Sequence, residues 1–182
     1  MHELSAADVD RVRVLADRAA ITDLIHRYSR AVDRLDAELL RSAYWPDGTD
    51  DHGAFNGNAL DYVDWVIGFV GGWISTHHDN SNVMIDLDGD VAYGESHWTG
   101  WYRYRRGDDV VDQVSNGRYL DRYERRGDEW RIAHRTCVSD WSRSAVRPDG
   151  DEHDHRLRGR RGDGDLVFHL RELGRDGEAG AR

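Results

Sequence analysis

Four strand-length runs in a row, parted only by short connections, limit what this chain can fold into more than any other feature. His78–Leu87, Val91–Arg105, Val110–Arg125 and Glu129–Ser142 each read as extended chain. Their separators are Asp88-Gly89-Asp90, Arg106–Asp109 and Arg126-Gly127-Asp128, the last of which has the form of a hairpin connection. Upstream the period is helical. Ser5 with Asp8 three residues later forms a capping box. Val12, Leu15, Ala19, Leu24, Ile25, Tyr28 and Val32 then recur mostly at steps of three or four, which predicts a long amphipathic helix. A second, short helix fits Asp36–Tyr44 with Asp36 as its N-cap, and Pro46-Asp47-Gly48 stops it. Thr49–Phe55 reads as a short strand closed by Asn56-Gly57. A third helix, Ala59–Ile74, is apolar at Leu60, Val63, Ile67, Val70 and Ile74 and ends near Gly71-Gly72. Helices first and a meander of strands afterwards predict an α+β fold rather than a parallel sheet.

Length and charge set the outer bounds. The 182 residues fit one domain over 1–144 and a polar tail over 145–182, and no internal repeat is present. In the tail, Pro148–Asp165 reads as a mobile polar stretch and Leu166–Leu173 as a short amphipathic piece able to dock. No run approaches the roughly 20 apolar residues that span a bilayer. Met1–Asp10 lacks the pattern of a secretory signal, so a cytoplasmic location is the expectation. A formal net charge of -10 argues against a nucleic-acid partner, which needs a basic surface. Cys137 is the single cysteine, so no internal disulfide forms. Every basic residue is Arg, which excludes a Schiff-base or phosphate-loop lysine.

Within Val91–Arg105 the two faces differ. One carries Ala92, Gly94, Ser96, Trp98, Gly100, Tyr102 and Tyr104; the other carries Val91, Tyr93, Glu95, His97, Thr99, Trp101 and Arg103. Large side chains on both predict that both are covered, one by helices and the other by a partner subunit. The small residues on the first face leave room for a ligand or a tight bend.

Several polar residues could carry chemistry. Tyr28 and Asp33 lie about 140° apart on an ideal helix, so they share a pocket only if the helix ends or bends there. The plain alternative is a core tyrosine and a surface acid. His77-His78 opens the strand after the third helix, and a histidine there is a cap, a satisfied polar group or a base. In Asp50-Asp51-His52, Asp50 and His52 share a strand face, and with His78 they could offer nitrogen and oxygen ligands to a metal. No zinc spacing is matched, and a solvated strand end explains the cluster as well. Arg135 shares a face with Ala133 and Cys137, opposite Ile132. Its fork of donors suits a substrate oxyanion, or else it is paired to an acid.

Taken together, these pieces resemble the SnoaL-like (polyketide-cyclase-like) branch of the nuclear-transport-factor-2-like superfamily. The resemblance is carried by Leu15–Asp33, by the Tyr-Trp-Pro-Asp-Gly run at 44–48, by Thr76-His77-His78 with Asn82, by Asp88–Ala92 and by Tyr123–Ile132. It covers roughly residues 10 to 143. It implies a cone-shaped α+β barrel with N-terminal helices packed on a strongly curved, mostly antiparallel sheet. The family includes scytalone dehydratase, a bile-acid dehydratase and hexachlorocyclohexane dehydrochlorinase, which pair a helix-borne Asp with a His on the strand after the third helix. Asp33 and His78 match those positions. Tyr28 matches a tyrosine of the bile-acid enzyme, and Arg135, following Trp130, an arginine of the dehydrochlorinase. The same correspondence puts Asp50, His52, Ser115, Gly117 and Tyr119 in the pocket, with Trp98 from the small-residue face. At Asp50 the dehydrochlorinase has an aromatic, so a more polar pocket is implied here, against a chlorinated substrate. The resemblance implies a dehydratase that needs no metal or organic cofactor and acts on an oxygenated small molecule. A cyclase or isomerase with the same pair, an epoxide hydrolase built on Asp33, Arg135 and Asp50, and a non-catalytic binding protein or oxygenase small subunit are the other readings.

Overall fold

A computed structural model describes residues 5–147 and 159–171. Three helices, α1 (Ala6–Arg34), α2 (Ala37–Arg41) and α3 (Ala59–Gly71), pack on a six-stranded sheet. Its strands are β1 (Tyr44–Asp51), β2 (Asn56–Asn58), β3 (Ser75–Asp88), β4 (Val91–Arg106), β5 (Asp109–Arg126) and β6 (Glu129–Val146). The order is β2-β1-β6-β5-β4-β3. Only β1 and β6 run parallel, so the sheet is mostly antiparallel and the fold is the expected α+β. Among the described residues no helix is long and apolar enough to cross a membrane.

Local chemistry explains the element ends. The Ser5 hydroxyl accepts the Asp8 backbone N–H and donates to the Asp8 carboxylate, so the capping box forms. Asp36 and Asn58 cap α2 and α3 in the same manner, through the N–H groups of Leu39 and Leu60. In β3, Asn82 adopts φ 48°, at a break in register between Ser81 and Met84. Asn tolerates this left-handed region better than most residues, and the irregularity bends the strand. A second break sits where Gly117 faces β6: a Cβ there would lie 1.9 Å from the Val138 carbonyl oxygen, so only glycine fits.

The inner face of the sheet carries the core. Ile21, Leu24 and Ile25 of α1 and Val63 of α3 pack with Tyr44, Tyr123 and Ile132 of the strands. Each buried aliphatic side chain contributes about 1.5–3 kcal/mol. An exposed ion pair contributes about 0–1 kcal/mol. Apolar contact, not the many surface Arg–carboxylate pairs, therefore holds the helices on the sheet.

Several expectations need correction. Val12 and Leu15 are 56% and 66% exposed, because the first half of α1 overhangs the sheet and only its second half is buried. The buried face of α3 is Ala59, Tyr62, Val63, Val66 and Val70, while Ile74 lies beyond the helix and is exposed. Tyr44 opens β1 instead of closing α2. Pro46-Asp47-Gly48 lies within β1, where the register with β6 shifts, and Asn56-Gly57 belongs to the return strand β2. On β4 the small residues make room for side chains of the chain itself: a Cβ on Gly100 would sit 1.9 Å from the Tyr102 hydroxyl. Among the described residues no helix covers the other face of the sheet, and Met84, Tyr93, Trp101 and Trp141 stand exposed there.

Of the polar stretch expected over Pro148–Asp165, residues 148–158 lie outside the described residues, as do the last two of Leu166–Leu173. Gly159–Arg171 contains two short 3-10 turns, Gly162–Gly164 and Leu166–His169. Arg161 reaches from it into the fold and donates to the carbonyls of Asp33, Val70 and Trp73 at 3.3, 2.5 and 3.2 Å. These carbonyls lie at or just beyond the C-terminal ends of α1 and α3, where helical carbonyls lack partners.

Candidate active site

The end of α1 and the start of β3 meet at a carboxylate–imidazole pair. Asp33 Oδ1 lies 2.7 Å from His78 Nδ1, and Asp33 Oδ2 accepts the His78 backbone N–H at 2.8 Å. Asp33 is buried. Two bonds from one residue fix both the ring and its tautomer: with Nδ1–H donated to Asp33, Nε2 is left as the basic atom. That nitrogen lies 3.1 Å from the Tyr102 hydroxyl. Burial by itself raises the Asp33 carboxyl, but the His78 ring bond, the His78 charge, the His78 N–H and Thr76 outweigh it, so its pKa is held below the usual value. A depressed folded-state pKa stabilises the fold above the unfolded value of about 3.9 and loses that contribution as pH falls through the folded value. Melting temperature should therefore fall at acid pH, and the fall should be shallower in Asp33→Asn, as read from thermal melts across an acid pH series.

His78 opens on a cavity of about 580 Å³. Its polar lining includes His52, Tyr28, Tyr62 and Ser115; its apolar lining includes Trp98 and a stripe made by Trp65 and Phe69 of α3 with Trp73 just beyond the helix. The stripe is stacked, with Trp65 and Phe69 centroids 5.1 Å apart, and Trp73 continues it to Tyr102. Tyr119 also lines the cavity, stacked on Trp98. Burial pushes the Tyr28, Tyr62, Tyr102 and Tyr119 phenols upward, so all four remain protonated donors at neutral pH. Burial likewise pushes the Cys137 thiol up to about 12, which removes it as a nucleophile.

A second imidazole–carboxylate pair lies in the same cavity wall. His52 Nδ1 bonds to Asp50, whose other oxygen accepts the Tyr44 hydroxyl. His52 Nε2 lies 3.1 Å from the Tyr62 hydroxyl and 3.3 Å from that of Tyr28, and the two hydroxyls are 2.6 Å apart. Among the described residues no three of His, Cys, Asp and Glu gather as a metal site.

A family model described as the SnoaL-like domain matches residues 13–136. The chain belongs to the SnoaL-like family. No curated protein matches it in sequence. Among solved structures it is similar to the Kfla4162 protein from Kribbella flavida, with 21% identity and a TM-score of 0.64, over 71% of this chain and 95% of that one. It is similar to a provisionally named scytalone dehydratase from Novosphingobium aromaticivorans, with 22% identity and a TM-score of 0.64, over 82% and 95% of the two chains. It is also similar to the hexachlorocyclohexane dehydrochlorinase LinA-type3 from Novosphingobium barchaimii, with 24% identity and a TM-score of 0.61, over 82% and 99%. Likeness at this level of identity speaks for the shared fold.

Not every expected site residue of this SnoaL-like chain reaches the cavity. Asp33 stands behind His78, as an orienting carboxylate would. Tyr28 does share the cavity with His78, although α1 continues unbroken to Arg34, because Asp33 touches the site only through the histidine. Asp50 does not line the cavity; it is fully buried behind His52. Gly117 is likewise absent from the lining. Arg135 is fully buried and its fork is closed on Asp121 at 2.7 and 2.8 Å. Its guanidinium stacks on the rings of Tyr28 and Tyr119 at 4.1 and 3.9 Å and does not itself line the cavity. Asp121, not Asp33, is thus the arginine's partner, so the arrangement weighed for epoxide opening does not form. The β6 register explains the misplacement: an extra residue near Ala133 puts Ile132 and Arg135 on one face. Tyr62, Tyr102 and Asp121 went unassigned. Alternation along β4 and β5 places Tyr102 with Trp98 and Asp121 with Tyr119, which was the available signal.

Proposed function

We propose that the chain is a small-molecule lyase that eliminates water from a mid-sized, partly oxygenated organic compound, with His78 as general base and Asp33 as the group that orients it. One observation carries this reading: the His78 ring is held through Nδ1 by a buried carboxylate and lines a roomy cavity. A proton on carbon next to a carbonyl is acidic enough for imidazole, and Asp33 offsets the charge the ring gains. The Tyr102 hydroxyl, beside Nε2, replaces Arg135 as donor to the developing oxyanion. Proton transfers of this kind call for no cofactor. The stacked aromatic wall suits a planar hydrophobic body, and the hydroxyls and His52 suit its oxygens. An open cavity beside a formed Asp–His pair supports an enzyme over a binding module. The test is to incubate the protein with β-hydroxy carbonyl compounds and follow the absorbance of the conjugated product, which the His78→Ala variant should not form.

The exposed aromatic face of the sheet supports a homodimer or homotrimer. Trp101 and Trp141 should lie in the contact, so Trp101→Glu is expected to shift the protein to monomer in light scattering, with the cavity unaltered.

A further inference from the structure

The cavity holds one more proton-handling unit than a general base requires. Its members come from three parts of the fold: Asp50 at the end of β1 with His52 just beyond it, Tyr62 from α3 and Tyr28 from α1. His52, Tyr62 and Tyr28 all line the cavity that His78 faces. We propose that Asp50, His52, Tyr62 and Tyr28 form a relay that delivers a proton to the departing oxygen, so that the substrate is a β-hydroxy carbonyl compound. This rests on the lyase reading given above and names the substrate class for it.

Counting hydrogens shows why. Asp50 holds His52 Nδ1, so neutral His52 carries its hydrogen there and Nε2 accepts. The two phenol hydrogens are then both used: one phenol donates to the other and the second donates to Nε2. No hydrogen is left for a ligand. When His52 is protonated the direction reverses. Nε2–H donates to the Tyr62 oxygen at 3.1 Å, Tyr62 donates to Tyr28 at 2.6 Å, and the Tyr28 hydrogen becomes free for the cavity. The Asp50 carboxylate balances the imidazolium. The other charged and titratable groups packed around it are Tyr44 on Asp50, Tyr119 with its ring 6.1 Å away, and Arg135, which Asp121 engages.

The elimination then balances. His78 takes the proton from the carbon next to the carbonyl, and the C–H electrons form the new double bond. The C–O bond breaks with its electron pair on oxygen, which takes the Tyr28 hydrogen and leaves as water. Tyr28 is refilled from Tyr62, and Tyr62 from His52. His78 ends protonated and His52 neutral, and exchange with solvent restores both.

The relay predicts a dependence on the leaving group that a structural cluster would not show. The experiment uses a panel of aldols of acetone with aromatic aldehydes and the acetate esters of the same aldols. Hydroxide leaves only with a proton; acetate leaves without one. His52→Gln keeps a donor toward the phenols but has no proton to give. It should slow dehydration of the aldols by about 10²–10⁴-fold, the usual worth of a general acid. The loss on the esters should be far smaller, and that remaining activity reports a folded site. His78→Ala should slow both by about 10²–10⁴-fold. A His52→Gln variant that slows aldols and esters alike, or slows neither, overturns the relay while leaving the base in place. Wild-type protein inert on the entire panel, or undiminished turnover in His78→Ala, overturns the elimination itself.

Discussion

Replacing His78 by alanine should lower kcat/KM for the elimination by about 10²–10⁴-fold, the range a positioned base supplies, with the fold still standing. The side chain touches only Asp33 and Tyr102 by hydrogen bonds, and neither contact joins two elements that the core does not already join. Asp33 keeps the backbone N–H of residue 78 in the variant, so the buried carboxylate does not lose every partner. The loss should thus appear in turnover rather than in melting temperature. Asp33→Asn tests the orienting role separately. An amide there can turn its NH2 toward Nδ1, which moves the ring hydrogen to Nε2 and blunts the base with the imidazole still in place. Steady-state kinetics with circular dichroism melts on both variants check this. Full activity in His78→Ala removes the dyad from the mechanism.

The two halves of this site differ in how far the residues announced them. The pairing of Asp33 with His78 came from the family resemblance, because spacing alone left a surface acid and a capping or satisfied histidine open. The four long strands were legible from a local signal, since their turns carry glycines at Gly89, Gly107 and Gly127 that all take positive φ. What failed was anything set by register between strands. Arg135 was expected on the face opposite Ile132, and one extra residue in β6 puts them together. The reading of β1 as beginning at Thr49 failed because a parallel partner tolerates the Pro46–Gly48 irregularity that would end a hairpin. The burial of α3 was off by about one position, which hid Tyr62, because the half-buried Leu60 and Ile67 flank the buried face and blur its direction. The polar character assigned to Asp50 belongs, in the cavity, to His52, whose neighbour in sequence is its neighbour in space.

Arg135→Met should be the most destabilising single change in the site, and the reason separates a structural arginine from a catalytic one. In the folded chain Asp121 has the Arg135 fork and the Tyr123 hydroxyl at 2.6 Å, and both charged groups are buried. Removing the arginine leaves Asp121 charged and uncompensated, a loss of about 3–5 kcal/mol. For a chain of this length that is a drop of about 6–20 °C in melting temperature. Restoring neutrality should reverse it: a buried pair replaced by apolar groups is often neutral or stabilising, by about 1–4 kcal/mol. Arg135→Met with Asp121→Leu should therefore recover most of the stability, as differential scanning calorimetry would read. Turnover decides the role. If Arg135 acts only by holding Tyr28 and Tyr119 in place, activity returns together with stability in the double variant, because the cavity lining is the same. If the guanidinium reaches the substrate, the double variant is stable and inactive, and the oxyanion contact assigned to Tyr102 belongs to Arg135 instead.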